Sequence, residues 1–209
     1  MKQPVHVWCS GTAAHEFPPT WAGFATLRIG FPEAPIHVWG NGLTGDTMAA
    51  LATAARELGA TFQNVPLTTR DEFLEGLVRE AVGPVWFVEP CVRFERAMPT
   101  PEASQLCRGR RVPARMDRAT YLNHAEHLHP ALLWLNAPAL RGAMLRWSHE
   151  NLPEAMLTAQ LNFLRQTIVP GSPRATYYEA GALLYAAGLA RSFHPTEDLA
   201  FEILTQGTV

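Results

Sequence analysis

The chain has 209 residues, of which 47% are hydrophobic and 17% are charged, and its formal net charge at pH 7 is −2. This composition excludes a disordered or collagen-like chain, and the small net charge gives no global reason to expect nucleic-acid or membrane binding. No apolar run approaches the roughly 20 residues that span a bilayer. The three cysteines, Cys9, Cys91 and Cys107, include no CxxC pair, which argues against a disulfide framework. We therefore expect a cytoplasmic protein without a signal peptide.

Predicted strands and helices alternate through the first half of the chain. Short runs rich in β-formers predict strands at residues 4–10, 35–40, 61–67 and 84–94. Helical spacing and capping residues predict helices at residues 21–29, 47–58 and 70–81. This order predicts a mostly parallel sheet with right-handed crossovers, and the strongly apolar segment 84–94 is typical of a central strand.

The second half has a different pattern. Residues 98–118 carry three prolines and five arginines (Arg108, Arg110, Arg111, Arg115 and Arg118), which predicts an exposed loop. Another strand is predicted at residues 131–136. Helices are predicted at residues 139–169 and 176–192.

Polar residues stand where the predicted strands of the first half end. In parallel sheets, ligands bind beyond the carboxyl ends of the strands. Those ends are Cys9-Ser10-Gly11, Gly40-Asn41-Gly42 and Glu89-Pro90-Cys91. A carboxylate such as Glu89 at the end of a buried strand is costly unless it is paired, hydrogen-bonded or bound to a cation. The sequence allows two interpretations of Glu89: it pairs with an arginine, or it belongs to a binding site.

Two histidines and two tryptophans lie inside or near the ends of the predicted strands. His6 and His37 are expected to be hydrogen-bonded core histidines. Trp8 and Trp39 are expected in the core, with stacking on a base ring as the alternative.

The order of these segments resembles the GT-A class of glycosyltransferases, which bind nucleotide-sugars on an α/β sheet. The resemblance is carried by Thr26-Leu27-Arg28 with Phe31-Pro32, by residues 36–42, by VWFVEPCV at residues 85–92, and by residues 129–141, 178–182 and 201–208. It implies an α/β, GT-A-like, mostly parallel sheet flanked by helices, with a helical C-terminal half. It also implies a single domain over residues 1–209, with a nucleotide-binding half (1–97) and an acceptor-side half (98–209).

The resemblance also implies a metal site, but one whose residues are altered. In this class an acidic pair and a histidine near the C-terminus hold a divalent metal against the diphosphate. Here Glu89 and Cys91 stand at the pair and Ile203 at the histidine. Thiols and hydrocarbons are poor ligands for Mg²⁺ or Mn²⁺, which prefer oxygen. We therefore assign no metal ligand, and Mg²⁺ or Mn²⁺ stays only a candidate cofactor.

Arginines offer another way to neutralise a diphosphate. Arg110, Arg111 and Arg115 would bind phosphate oxygens bidentately if the arginine-rich loop covered the site. The alternative is a solvated basic loop. Contact with nucleic acid is a weaker alternative, because the loop has no interleaved aromatic residues.

The resemblance implies a role for each candidate residue. The donor-binding residues would be Cys9, Ser10, Gly11, Asn41, Glu89, Cys91, Arg110, Arg111 and Arg115. His129 and Asn136 would lie on the acceptor side, and Glu179 and Glu89 would be the catalytic carboxylates, with Glu179 the candidate base of an inverting reaction. The leading hypothesis is a glycosyltransferase that moves a sugar from a nucleotide-sugar to an unidentified acceptor. The alternatives are a non-catalytic binding or assembly subunit and an unrelated Rossmann-like enzyme.

Overall fold

The structure is a computed structural model that describes residues 2–10, 23–102, 104–112, 127–141, 190–192, 197 and 199–204. The described strands are Val5–Cys9 (β1), Ile36–Asn41 (β2), Thr61–Val65 (β3), Pro84–Val88 (β4), Val92–Phe94 (β5), Cys107–Val112 (β6), His127–Asn136 (β7), Ala190–Ser192 (β8) and Phe201–Ile203 (β9). The helices are Leu27–Gly30 (α1), Gly45–Glu57 (α2) and Arg70–Glu80 (α3), and residues 23–25 and 137–141 are also helical. None of the described helices is long and apolar enough to cross a membrane.

The main sheet has seven described strands in the order β3-β2-β1-β4-β7-β6-β8. Strands β3, β2, β1 and β4 are parallel, β7 is antiparallel to β4 and to β6, and β8 is parallel to β6. Strand β4 therefore lies inside the sheet, as its apolar sequence predicted. The predicted class, a mostly parallel α/β sheet with flanking helices, is confirmed.

Side chains that alternate along β1 enter two separate cores. Val5 and Val7 pack on one face of the sheet with Leu27 of α1 and Leu51 of α2. Trp8 packs on the other face, in a cluster that includes Leu74 and Leu77 of α3. Because each fully buried side chain of this size contributes about 1.5–3 kcal/mol, both faces fix the helices against the strands. The sheet is thus covered on both sides, as expected for parallel strands.

The helices α2 and α3 follow their predicted ranges closely because their ends carry specific signals. Gly59, just after α2, has φ of 64°, a left-handed conformation that glycine adopts without a Cβ clash. At the start of α3, the Thr69 hydroxyl accepts a hydrogen bond from the Glu72 backbone N–H, and the Glu72 carboxylate accepts one from the Thr69 N–H. This reciprocal capping box fixes where α3 begins.

The predicted strand at residues 84–94 is in fact two strands in two sheets. The chain leaves the main sheet after Val88 and turns at Glu89, whose carbonyl accepts from the Val92 N–H at 3.1 Å. Pro90, which has no N–H to donate, stands in this turn. Strand β5 then pairs antiparallel with β9 in a separate two-stranded sheet.

The prediction of an exposed loop at residues 98–118 is wrong for residues 107–112, which form β6 between β7 and β8. Arginine is compatible with this interior strand because Arg108 is neutralised. Its guanidinium forms an ion pair with Glu197, and their side chains are 11% and 14% exposed. Residues 113–118 lie outside the described residues.

Two predicted helices also differ from the structure. The helix expected at residues 21–29 is interrupted at Thr26, whose hydroxyl donates to the Gly23 carbonyl and accepts from the Phe94 N–H. Residues 190–192, expected at the end of a helix, form β8. The described part of residues 98–209 contains the strands β6 to β9, and most of the two helices predicted there lies outside the described residues.

Candidate functional site

The candidate site is the edge of the main sheet where the parallel strands end. Cys9 ends β1 and Ser10 follows it, Asn41 ends β2, and Glu89 follows β4. Because β1, β2 and β4 are parallel neighbours, these residues meet at the same edge. Ser10 is exposed there, Asn41 and Glu89 are half-buried, and Cys9 is buried.

Glu89 is held by an arginine from the helix that covers this part of the sheet. Nη1 of Arg70, the first residue of α3, donates to Oε1 of Glu89 at 2.8 Å. The two side chains are only 12% and 13% exposed, so the ion pair is largely withdrawn from water. The Glu89 backbone N–H donates to the Ala131 carbonyl of β7 at 2.7 Å. The arginine partner that the sequence left open for Glu89 is therefore Arg70.

The segment before Arg70 is fixed to the same edge. The Asn41 side-chain oxygen accepts from the Thr68 backbone N–H at 2.9 Å, which ties the start of α3 to the end of β2. The Thr68 hydroxyl in turn donates to the Glu72 carboxylate at 2.6 Å. This bond, together with those from Thr69, lowers the pKa of Glu72 to about 2. Thr68, two residues before Arg70, is therefore hydrogen-bonded both to the end of β2 and to the first turn of α3.

The thiols near Glu89 are protonated at neutral pH. Burial, and then the neighbouring Glu89 charge, raise the pKa of Cys91 to about 12. The same two causes raise the pKa of the buried Cys9 thiol. A protonated thiol is a weak nucleophile, and sulfur is a poor ligand for a hard cation. Cys9 and Cys91 therefore contribute shape rather than charge to the edge.

The second, two-stranded sheet places Ile203 near the turn that follows Glu89. In the β5–β9 pair, Val92 lies opposite Ile203, and the Leu204 N–H donates to the Cys91 carbonyl at 2.8 Å. The resemblance assigned Cys91 and Ile203 to one metal site, and in the structure Ile203 lies across from Val92, the residue after Cys91.

These residues do not fit a hard divalent cation. The Glu89 carboxylate already binds Arg70, Cys91 presents a neutral thiol, and Ile203 presents only hydrocarbon. Mg²⁺ and Mn²⁺ need several oxygen ligands. Within the part of the chain that the structure describes, no cluster of three or more His, Cys, Asp or Glu side chains could hold a metal ion.

The arginines expected to bind the diphosphate have other surroundings. Arg110 lies at an irregularity of β6 between Gly109 and Arg111, and its guanidinium stands over the Phe201 ring, 5.7 Å from the ring centre. The backbone of Arg111 is in β6, while Arg115 lies outside the described residues. The described part of this segment is therefore not the solvated loop of the sequence-based alternative.

The acceptor-side residues are not brought together. His129 is in the first half of β7, towards the Glu89 edge. Asn136, at the other end of β7, lies opposite Pro84 at the start of β4, and its side-chain amide donates to the Gln105 carbonyl. It is therefore at the far edge of the sheet from Glu89. Glu179 and Gly11 lie outside the described residues.

Arg70 is the site residue that sequence reasoning missed. Its residue type alone does not separate it from the other arginines of the chain. The signal that would have found it is the capping residue Thr69, which places Arg70 in the first turn of a helix that begins at the ligand-binding edge.

Comparison with known proteins identifies the fold. No protein-family model matches the chain, and a search of curated proteins finds no match. Among solved structures, the galactosyltransferase LgtC, in complex with donor and acceptor sugar analogs, is similar with a TM-score of 0.55 and 13% identity over 93% of this chain and 76% of LgtC. The chain has a GT-A-like fold. The glycosyltransferase GlyE of Streptococcus pneumoniae TIGR4 is similar with a TM-score of 0.51 and 8% identity, over 95% of this chain. The chain spans only 46% of the length of GlyE.

Proposed function

We propose that this GT-A-like chain binds a nucleotide-sugar at the carboxyl edge of its parallel strands and transfers the sugar to an acceptor. The observation that carries the proposal is the position of Glu89. It follows the central strand β4 at the edge where ligands bind in sheets of this kind, and it is half-buried there beside Arg70. The GT-A-like fold supports the reaction class by analogy.

The proposed reaction is a substitution at the anomeric carbon of the donor sugar. The bond from that carbon to the diphosphate oxygen breaks, and the nucleoside diphosphate leaves with the electron pair. The acceptor oxygen forms the new bond, and its proton passes to a base. A catalyst must therefore stabilise negative charge on the leaving diphosphate and provide a group that takes the proton.

We assign the proposed roles by position. Ser10, which is exposed after β1, and Asn41 at the end of β2 would line the nucleotide end of the site. Glu89 would lie next to the diphosphate. Glu179 is the proposed base, and Gly11, Arg111, Arg115 and His129 stay in the proposal on the resemblance alone. Asn136 is not included, because it lies at the opposite edge of the sheet.

A panel of UDP-, GDP-, CMP- and TDP-sugars tests binding by thermal shift. A ligand at about 100 times its Kd stabilises the folded state by about 2.7 kcal/mol, which for a chain of this size raises Tm by roughly 5–10 °C. We expect one nucleotide class to raise Tm, and free sugars to have no effect. A panel in which every member leaves Tm unchanged would contradict the proposal.

Release of nucleoside diphosphate, or of CMP from a CMP-sugar, then tests transfer or hydrolysis. Binding without release, with every acceptor offered, would favour the non-catalytic binding subunit. Release that is abolished by Glu179→Gln, while the donor still raises Tm, would support Glu179 as the base.

A further inference from the structure

We propose that Arg70 supplies, at this edge, the positive charge that a divalent metal supplies in the glycosyltransferases that the chain resembles, so that diphosphate binding needs no metal. The inference rests on the proposed function and specifies how the donor phosphates are recognised. It also replaces Arg110 by Arg70 as the source of that charge.

The first argument is that Arg70 already occupies the side of Glu89 that a cation would need. Its Nη1 is 2.8 Å from Glu89 Oε1, and both side chains are nearly buried. A divalent ion bound to Glu89 would stand next to the positively charged guanidinium of Arg70. Poorly screened like charges at this separation repel strongly. The Arg70 contact therefore disfavours a metal on Glu89.

The second argument is that the neighbouring positions cannot compensate. Cys91 offers only a thiol sulfur, a poor ligand for a hard cation, and Ile203, across from Val92 in the β5–β9 pair, offers no electron pair. Among Glu89, Cys91 and Ile203, only Glu89 would offer a carboxylate to a metal. An arginine needs no such ligand set, because its planar guanidinium can recognise phosphate oxygens directly.

The third argument is that the Arg70 charge is held in place before any ligand arrives. Thr69 caps α3 immediately before Arg70, and Asn41 holds Thr68. The guanidinium is therefore positioned relative to the ends of β2 and β4 together. Preorganised cations of this kind stabilise a charge that develops on a leaving group without reorganisation cost.

Two arginines of β6 have different partners. Arg108 is engaged by Glu197 through both terminal nitrogens. Arg110 stands over Phe201 of β9. Arg70 is the one among these three that contacts Glu89.

The Glu89→Gln substitution gives effects of opposite sign under the two mechanisms. The amide oxygen of Gln can still accept the Arg70 hydrogen bond, so the fold should be retained, but the negative charge is gone. If Arg70 binds the diphosphate, the Glu89 charge no longer offsets the charge of Arg70. The affinity for UDP, GDP and inorganic pyrophosphate should then rise. If Glu89 instead holds a metal, affinity in Mn²⁺ should fall. The measurement is calorimetric titration in EDTA and in excess Mn²⁺ at fixed salt.

A second variant removes the positive charge without leaving an unpaired buried charge. Arg70→Gln/Glu89→Gln keeps a neutral hydrogen-bonded pair of similar size. We expect its affinity for UDP, GDP and pyrophosphate in EDTA to fall by about 10-fold or more, with UMP and GMP affected less. Arg79→Gln is the matched control, because Arg79 is on the same helix and 67% exposed, and its affinity should equal that of the parent. Arg110→Ala should also bind as the parent does.

Three results would overturn the inference. The first is a parent protein that binds diphosphates only with Mn²⁺. The second is an Arg70→Gln/Glu89→Gln variant that binds diphosphates as the parent does. The third is an Arg110→Ala variant that loses diphosphate affinity while the Arg70→Gln/Glu89→Gln variant does not. Pyrophosphate separates this failure from failure of the proposed function, because it carries the phosphates without nucleoside or sugar. Pyrophosphate binding that depends on Arg70, with no nucleotide-sugar binding, would uphold the inference and refute the proposed function. A parent that binds neither would refute them together.

Rebuilding the metal site is an independent test. Arg70→Ala/Cys91→Asp removes the cation and adds a second carboxylate beside Glu89. We expect this variant to bind Mn²⁺ measurably by calorimetry and electron paramagnetic resonance, and the parent to show no such binding. Mn²⁺ bound to the parent and lost in Glu89→Gln would contradict the inference.

Discussion

The indole N–H of Trp39 donates a hydrogen bond to Nδ1 of His6 at 3.1 Å, from β2 to β1. Because an indole nitrogen can only donate, Nδ1 of His6 must be the acceptor, and its proton must be on Nε2. His37 lies directly across from His6, with the two ring centres 5.2 Å apart. Both histidines are thus hydrogen-bonded as expected, since His37 bonds to the Thr61 hydroxyl. Protonating His6 at Nδ1 would break its bond to Trp39.

We therefore predict that the free energy of unfolding falls as the pH drops from about 6.5 to about 4. Burial, and then the neighbouring His37, lower the pKa of His6 to about 4 from its usual 6.5. In that window the unfolded chain takes up a proton that the folded chain refuses, so stability is lost on acidification, by up to about 3 kcal/mol. Denaturant unfolding across this range should show the loss for the parent. The His6→Gln variant, which can still accept from Trp39, should lose less; an identical pH dependence would refute the assignment.

The ion pair between Arg108 and Glu197 should be strongly coupled. It is nearly buried, so removing one partner leaves a charge that water cannot solvate. We expect Arg108→Met or Glu197→Met to lower the free energy of unfolding by about 3–5 kcal/mol each, and the double variant to lose much less than their sum. A double-mutant cycle in denaturant measures this. The Arg93–Glu202 pair between β5 and β9 is the control, because its side chains are 45% and 51% exposed and its coupling should be about 0–1 kcal/mol.

Gly23 should not tolerate a methyl group. A Cβ at this position would stand 1.9 Å from the Pro90 carbonyl oxygen, in the turn that follows Glu89. Since backbone cannot move aside as a side chain does, we expect Gly23→Ala to lower the free energy of unfolding by about 1–3 kcal/mol or more. Gly83→Ala is the control, because no atom of the described residues lies within 4 Å of the added Cβ. Equal stability of the two variants would contradict this packing.

The capping box of α3 should be measurable in stability and in acid sensitivity. Thr69→Ala removes the hydroxyl that accepts from the Glu72 N–H, and should cost about 0.5–2 kcal/mol, whereas Thr69→Ser should cost little. The same hydroxyl donates to the Glu72 carboxylate at 2.9 Å. The pKa of Glu72 is lowered to about 2, so its contribution is lost as the pH falls from about 4.5 to 2. The Thr69→Ala variant should lose less stability across that range than the parent does; an equal loss would argue against the bond.

The elements that sequence patterns predicted well are those whose signals are local. The start of β4, the glycine after α2 and the Thr69 cap are each decided within a few residues, and the structure places the start of β4 and both helices within a few residues of the predicted ranges. The arginine-rich segment was predicted wrongly at residues 107–112 for the opposite reason. Arg108 is compatible with an interior strand because Glu197 neutralises its charge. Glu197 is far away in the sequence, so the local pattern does not show this pairing.

The sequence by itself determined the alternation of strands and helices, the edge where polar residues collect, and the presence of Glu89 there, because hydrophobic period, caps and strand ends are written in neighbouring residues. Only the tertiary structure decided what Glu89 faces. Its charge is met by Arg70, 19 positions earlier, and the pairing of β5 with β9 places Ile203 across from Val92. Such contacts depend on how strands and helices are arranged in space, which spacing along one chain does not encode. Whether an acidic residue holds a metal or an arginine is therefore settled by the neighbour that the fold brings to it.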